Sequence, residues 1–356
     1  MKYLLFNLIF LIAINSNGQN SEIGQWRDYL PYNNAISLAK MDGKIYVATE
    51  NSLFYLDVEE QILNRLSTIN GLSDVGVAAM AKDPQKNTLI VAYNSTKVDI
   101  IKDNSIYSML DIERENIVGG KSINNITFNN NTAYLSCSFG IVELNTEKRE
   151  IANTFYLNAN GNLGVNDLCF KEDSIYAATD IGLFRASMND NLLDYQSWQH
   201  LILDFPINSI EVAHQRIYFL SESLSDIYYY SAQNMYLAAT TENLKFLKAE
   251  SNRLFIGTQR NLIEIMPNNT LNTIKESSYL YRVSDVIIDG NTYWLSDGVR
   301  SLVRINENLT LKDYQPSAPL TNRAFSTSIT KDKVLVSTGG VSAQWDNNNT
   351  YQGFHW

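Results

Sequence analysis

Few side chains in this 356-residue chain are of the types that carry catalysis or bind metals. Histidine occurs three times, as His200, His214 and His355. No pair of them has metal-ligand spacing, and with Cys137 and Cys169 they make no closed four-ligand set. Those two cysteines are too few for a disulfide framework, and they read either as two buried thiols in neighbouring units or as one bridge. Asp42, Asp173 and Asp289 recur before or within short polar turns, where turn chemistry alone explains them. A calcium loop of the D-x-[DN]-x-[DN]-G type is missing, as are a Gly-rich phosphate loop, a nucleophile elbow and H-E-x-x-H. Paired carboxylates for glycoside cleavage stay open, because they would come from strands far apart in the chain. The expectation is no enzyme, no cofactor and no metal site.

What positions these residues is a repeat. Val165 to Ala186 (VNDLCFKEDSIYAATDIGLFRA) reads as strand, polar turn, aromatic-centred strand, Gly turn and third strand. The second-strand centres recur at Tyr46, Ile90, Tyr134, Tyr176, Tyr218, Phe255, Tyr293 and Leu335, separated by 44, 44, 42, 42, 37, 38 and 42 residues. That period with two-residue alternation, and without helical periodicity, predicts an all-β propeller. Ile36 to Lys40, Ile123 to Phe128, Val165 to Phe170, Ile207 to Val212 and Val283 to Ile288 are expected as innermost strands. Gln61 to Leu66 and Ser197 to Leu201 are expected as outer ones. Eight units are visible, and the preferred reading is seven four-stranded blades over residues 19–318. The eighth unit, residues 319–356, would then start a truncated second propeller. Trp26 to Leu30 is expected to close the ring as an outer strand from the N-terminus. The repeated Asp-box of sialidase-type propellers, S-x-D-x-G-x-x-W, is absent.

In such a ring the outer-to-inner connections open on one face. Here they are Gly- and Asn-rich and longer than a tight turn needs: Ile69 to Asp74, Gly119 to Ser122, Asn158 to Asn166 and Ser317 to Arg323. They are either plain spacers between blades or a docking face for a partner. On the second reading Asp74, Lys121, Asn160 and Arg323 are the candidate docking residues.

Composition bounds the setting. With 45% hydrophobic and 19% charged residues the chain is globular, and a net charge of −10 disfavours nucleic acid or an anionic membrane as partner. Lys2, the apolar run Tyr3 to Ile14 and the small residues Ser16 to Gly18 read as a cleavable signal peptide, residues 1–18. The run is too short to span a bilayer. Export to the periplasm or the outer-membrane surface follows. Six N-x-S/T sequons, among them Asn125 in an expected inner strand, are read as unmodified.

Six stretches carry a resemblance: GQWRDYLPYNNAISLAK (24–40), LSTINGLSD (66–74), NTLIVAY with KVDII (87–101), KSINNITF (121–128), AYLSCSFGIVELN (133–145) and NGNLGVNDL (160–168). In that order they resemble the PorZ-like N-terminal β-propeller of the Bacteroidetes type IX secretion system, and the third-strand turns resemble the propeller repeats of two-component regulators. The resemblance implies a non-catalytic surface protein whose partner is the cell-surface sortase complex of type IX secretion. The family adds a second propeller and a C-terminal sandwich. Lipopolysaccharide binding belongs to that C-terminal part and is not carried over. The alternative is a glycan-sensing propeller of a hybrid two-component regulator.

Overall fold

Each repeat folds as an antiparallel meander whose turns are set locally. Between β1 (Ala35–Met41) and β2 (Lys44–Thr49), Asp42 and Gly43 both take positive φ, 52° and 69°, as a two-residue primed hairpin requires. The computed structural model describes residues 28–117, 119–203, 205–221, 226–321, 325–330, 333–337 and 354–355. The signal-peptide reading, Trp26 and Arg323 therefore lie outside the described residues.

Seven four-stranded sheets follow one another along the chain. Blade 1 is β1, β2, β3 (Leu53–Asp57) and β4 (Ile62–Leu66). Blade 2 is β5 (Val77–Lys82), β6 (Thr88–Tyr93), β7 (Val98–Lys102) and β8 (Ser105–Met109). Blade 3 is β9 (Ile123–Asn129), β10 (Thr132–Cys137), β11 (Gly140–Asn145) and β12 (Glu150–Phe155). Blade 4 is β13 (Val165–Lys171), β14 (Ser174–Thr179), β15 (Gly182–Ser187) and β16 (Gln199–Leu203). Blade 5 is β17 (Ser209–Ala213), β18 (Arg216–Ser221), β19 (Asp226–Ser231) and β20 (Asn234–Thr240). Blade 6 is β21 (Phe246–Glu250), β22 (Arg253–Gly257), β23 (Asn261–Ile265) and β24 (Leu271–Glu276). Blade 7 is β25 (Val283–Asp289), β26 (Thr292–Asp297), β27 (Ser301–Ile305) and β28 (Leu311–Tyr314). Each first strand packs against the first strand of the next blade, and β25 packs back on β1, so the ring is closed.

Two of the recurrent glycines are fixed by this pairing. Gly140 (φ 139°) and Gly182 (φ 128°) open the third strands of blades 3 and 4, and a Cβ there would run into the outer-strand carbonyls of Phe155 and Ile202. The hydrophobic core lies between blades rather than within them. Tyr46, Ile90, Tyr134, Tyr176, Tyr218 and Phe255, the expected strand centres of blades 1 to 6, are all buried, whereas in blade 7 Trp294 takes the buried place beside a half-buried Tyr293. Cys137 and Cys169 are free thiols, both buried, and burial raises both above the ordinary thiol range.

Ring closure departs from the expected terminal strand. Asp28 to Leu30 are not in a strand, and the outer strand of blade 7 is its own β28. The residues before β1 instead act as a clasp. Tyr32 is fully buried at the junction of blades 1 and 7, its ring edge-on to Phe54 at 5.8 Å, and its hydroxyl donates to Asp28 at 2.9 Å. Arg65 on β4 donates to the Asp28 and Ser317 carbonyls, and the Tyr314 hydroxyl donates to Gln61 at 3.1 Å. Of the eighth unit, β29 (Ser326–Thr330), β30 (Lys333–Ser337) and β31 (Phe354–His355) form a separate three-stranded sheet.

Candidate functional site

Two places in the ring gather polar or exposed groups: the central channel and the face carrying the outer-to-inner connections. All seven first strands line the channel, a cavity of about 700 Å³. β-Bulges sit just before Asp167 on β13 and Asp285 on β25 and re-aim both side chains. Asp167 accepts from its neighbour Leu168 N at 2.7 Å, from Asn125 Nδ2 of blade 3 at 2.5 Å, and from Ser209 Oγ (3.0 Å) and Ile210 N (2.9 Å) of blade 5. Asp285 does the same at the seam where blade 7 meets blade 1. It accepts from Val286 N (2.8 Å) and, on blade 1, from Ser37 Oγ (3.3 Å) and Leu38 N (2.8 Å). Lys248 on β21 completes that site with an ion pair of 2.8 Å.

The electrostatics of the two carboxylates differ. Burial works against the Lys248 ammonium, but the charge of Asp285 outweighs it and keeps the lysine protonated. Asp167 has no such cation, and burial raises its carboxyl despite four hydrogen bonds. Next to it Glu211 on β17 is pushed up to about 8, by burial first and then by the Asp167 charge, against the pull of Lys248 and the Ala249 N–H. Among the described residues no group of three or more His, Cys, Asp or Glu could hold a metal ion. The channel hydrogen bonds are consumed in joining blades.

The connection face has another character. In a meander the start of the first strand, the second turn and the end of the fourth strand lie at one end. That end exposes Ile69, Val75, Tyr156, Ile181, Tyr281 and Val299, from blades 1 to 4 and 7. At the opposite end lie ion pairs such as Lys86–Glu147 (2.7 Å), Lys171–Glu172 (2.8 Å) and Lys40–Asp289 (2.5 Å). The apolar residues are held firmly. The fully buried carboxylate of Asp297 accepts from Tyr281 N (2.6 Å), Val299 N (2.9 Å) and Arg300 N (2.8 Å), which presents Tyr281 and Val299 side by side, each about half exposed (48% and 49%).

Of the four sequence candidates, three lie among the described residues, all on this face. Asp74 pairs with Lys97 at 3.1 Å, and Lys97 also reaches Glu113 at 3.8 Å. Burial pushes the Asp74 carboxyl up, but the Val75 N–H and the Lys97 ammonium bring it below its ordinary value. Lys121 donates to the carbonyls of Ile112 (3.2 Å), Glu113 (2.6 Å) and Glu115 (2.9 Å), so its ammonium satisfies the helical turn Asp111–Arg114. Asp74 and Lys121 thus belong to one braced pair of connections. Asn160 stands apart and exposed. Of the histidines, His200 stacks on Phe184 at 4.2 Å on an outer strand, and His214 sits in a hairpin turn, as their places in the repeat predict. Sequence reasoning missed Asp167, Glu211, Lys248, Asp285 and Asp297. The signal for two of them was present: VNDLCF and VSDVII each put Asp third in an apolar inner strand.

Residues 45–199 match the model of a family described as the PorZ N-terminal β-propeller domain of the type IX secretion system. In structure, the chain is similar to PorZ of Porphyromonas gingivalis, which is described as an essential bacterial surface component of that system, with a TM-score of 0.77 and 20% identity. The likeness covers 89% of this chain and 43% of that one, so the chain spans less than half the length of that relative. The extracellular domain of the one-component system BT4673 from B. thetaiotaomicron follows at a TM-score of 0.59 and 13% identity, over 90% of this chain and 53% of that one. The computationally designed Ika8 protein gives 0.54 at 10% identity, over 86% and 93%. No curated protein matches the sequence. Among the described residues no helix is long and apolar enough to cross a membrane.

Proposed function

We propose that this chain is a PorZ-like propeller that works without catalysis as a protein-interaction component of type IX secretion, exported to the cell surface and acting beside the surface sortase. The observation that carries the reading is the family match over residues 45–199, which fall within blades 1 to 4. The connection face supports it. A rigid ring with exposed apolar residues on braced loops gives up little conformational freedom when a partner covers it. Tyr281 and Val299 are the proposed centre of the contact, and Asp74 and Asn160 lie on the same face.

The test is binding between the purified chain and the type IX surface sortase of the same organism. The Tyr281→Lys/Val299→Lys double variant should weaken binding about tenfold or more, as loss of a central apolar contact does, at an unchanged melting temperature. Failure of the unaltered chain to bind the sortase would remove the reading. Specific binding of an oligosaccharide instead would favour the sensor, the reading that the likeness to the one-component system's extracellular domain suggests.

A further inference from the structure

The connection face is not uniform in charge. Among the described residues of blades 1 to 4, its turns and connections carry Glu50, Asp74, Asp111, Glu113, Glu115 and Asp180 against Lys97, Arg114 and Lys121. Blades 6 and 7 reverse the balance. There Lys245, Arg260, Arg282 and Arg300 stand against the exposed Glu242 and Glu276, while Asp297 is buried on three backbone N–H groups. Backbone hydrogen bonds hold this sector together. Arg282 N donates to the Gln259 carbonyl and Gly298 N to the Tyr281 carbonyl, both at 2.8 Å, and Ser277 N donates to the Arg260 carbonyl at 3.1 Å. The arginines therefore lie beside Tyr281 and Val299, the proposed contact centre. Arg300 is aimed before any partner arrives. Its guanidinium lies 3.6 Å from the centre of the Tyr279 ring, its Nε donates to the Tyr279 carbonyl at 2.7 Å, and the Tyr279 hydroxyl is fixed on Asp313. Its two Nη groups, the fork that meets a carboxylate, have no acceptor among the described residues. Arg260 and Lys245 are exposed, and neither side chain has a partner among the described residues. Arg282 is already engaged, by Asn34 and by Glu50 at 3.8 Å.

We infer that this sector takes a short acidic segment of a protein partner, with an aliphatic side chain on Tyr281 and Val299 and carboxylates on Arg300 and Arg260 beside them. The inference rests on the proposed function for its contact centre and adds the chemistry of what covers it. Charge selects the occupant. A stacked guanidinium that is already aimed loses little freedom on taking a carboxylate, and a basic segment would be repelled here. The apolar centre selects polypeptide, because phosphate and sugar groups bring no aliphatic side chain to sit between two arginines. The acidic turns of blades 1 to 4 limit its length. A long polyanion or an anionic membrane lying across the face would also meet Glu50, Asp74 and Asp111.

Fluorescence polarisation of a labelled peptide, Glu-Glu-Leu-Glu-Leu-Glu-Glu, against the full chain tests this. Binding is expected in spite of the net charge of −10, and it should weaken about tenfold between about 50 and 300 mM salt. Arg260→Glu and Arg300→Glu should each weaken it about tenfold. Arg300→Lys should recover part of the loss, as a point charge without the fork does. Arg260 is exposed, so its variant should melt as the native chain does. Lys148→Glu, on the opposite face, should leave binding unchanged. The lysines of Tyr281→Lys/Val299→Lys do not compensate, because they would sit under the aliphatic side chain and not opposite a carboxylate. No binding of the peptide overturns the inference, and so does binding that both glutamate variants leave intact. Phosphatidylglycerol vesicles should not bind, and capture of them through the same arginines would overturn it in favour of a membrane contact. Sortase binding is a separate readout. If it is lost in Tyr281→Lys/Val299→Lys but kept in both glutamate variants, the proposed function holds and this inference falls. Arginine-dependent peptide binding by a chain that does not bind the sortase supports the inference and removes that function.

Discussion

The junction between blades 4 and 5 and the seam between blades 7 and 1 use one hydrogen-bonding device in two electrostatic settings. In each, an aspartate on a bulged inner strand caps the next blade through a serine hydroxyl and a backbone N–H, Ser209 and Ile210 in one case, Ser37 and Leu38 in the other. The first junction is also joined by the chain itself. The seam has no continuous backbone across it and gathers more contacts: the Ser284 hydroxyl on the Ala35 carbonyl at 2.9 Å, Arg282 on Asn34 and the Lys40–Asp289 pair, while Lys248 of blade 6 supplies a cation to the Asp285 carboxylate from behind. A carboxylate that must hold a seam is given a cation. One that only trims a covalent junction is left next to a second acid, Glu211.

The largest expected effect breaks the seam. Asp285→Ala removes three acceptor contacts and takes its partner from the half-buried Lys248, which should cost about 2–4 kcal/mol in denaturant unfolding, mostly for the donors left unpaired. Tyr176→Asp, at the strand centre packed between blades 4 and 5, should cost several kcal/mol by placing a charge in the core. An unchanged melting temperature in that variant would contradict the blade alignment. Asp167→Asn should cost less than Asp285→Ala, about 1–2 kcal/mol, because no cation is stranded and only the fit of donors to acceptors suffers. If the two junctions cost the same, the ion pair adds nothing at the seam.

The pH dependence sharpens the same contrast. The carboxyls of Asp167 and Glu211 are raised in the folded state, so they contribute stability that is fully present below the ordinary carboxylate range. That stability declines as pH rises through about 8 for Glu211. Facing Glu211 are Asp167 and Cys169 from β13, Lys248 from β21 and Asp285 from β25. The melting temperature should fall between pH 6 and pH 9 in the native chain, and Glu211→Gln should remove most of that fall. The smallest effect is chemical. Cys137 and Cys169 should stay unreactive towards a thiol reagent until the ring unfolds, because both are buried and neither thiolate is favoured.

The ring was readable from sequence because its signals are local and repeated. Alternation set the strands, Gly140 and Gly182 marked third strands that no other residue could open, and the spacing of Tyr46 to Tyr293 counted the blades. The inner strands came out within about two residues of the expected ends, as for Ser209–Ala213 against Ile207 to Val212. What stayed hidden depends on contacts between blades. Nothing near Asp285 in the chain announces Ser37 or Leu38, which are about 250 residues away and meet it only once the ring closes. Lys121 shows the opposite limit. A lone lysine in a loop looks available to a partner, and only the three carbonyls around its ammonium show that it caps a turn.

Among the described residues every blade is drawn from one stretch of chain, with no strand exchanged across the seam, and this makes the ring indifferent to where its ends are. The Asn33 amide donates to the Leu320 carbonyl at 3.2 Å, so the two sides of the seam are within reach of a short linker. A circular permutant that joins them and opens the chain at another outer-to-inner connection would keep all seven sheets intact. The same modularity suits growth by tandem duplication of whole blades, since each new unit brings its own four strands and asks of its neighbours only a flat face to pack on.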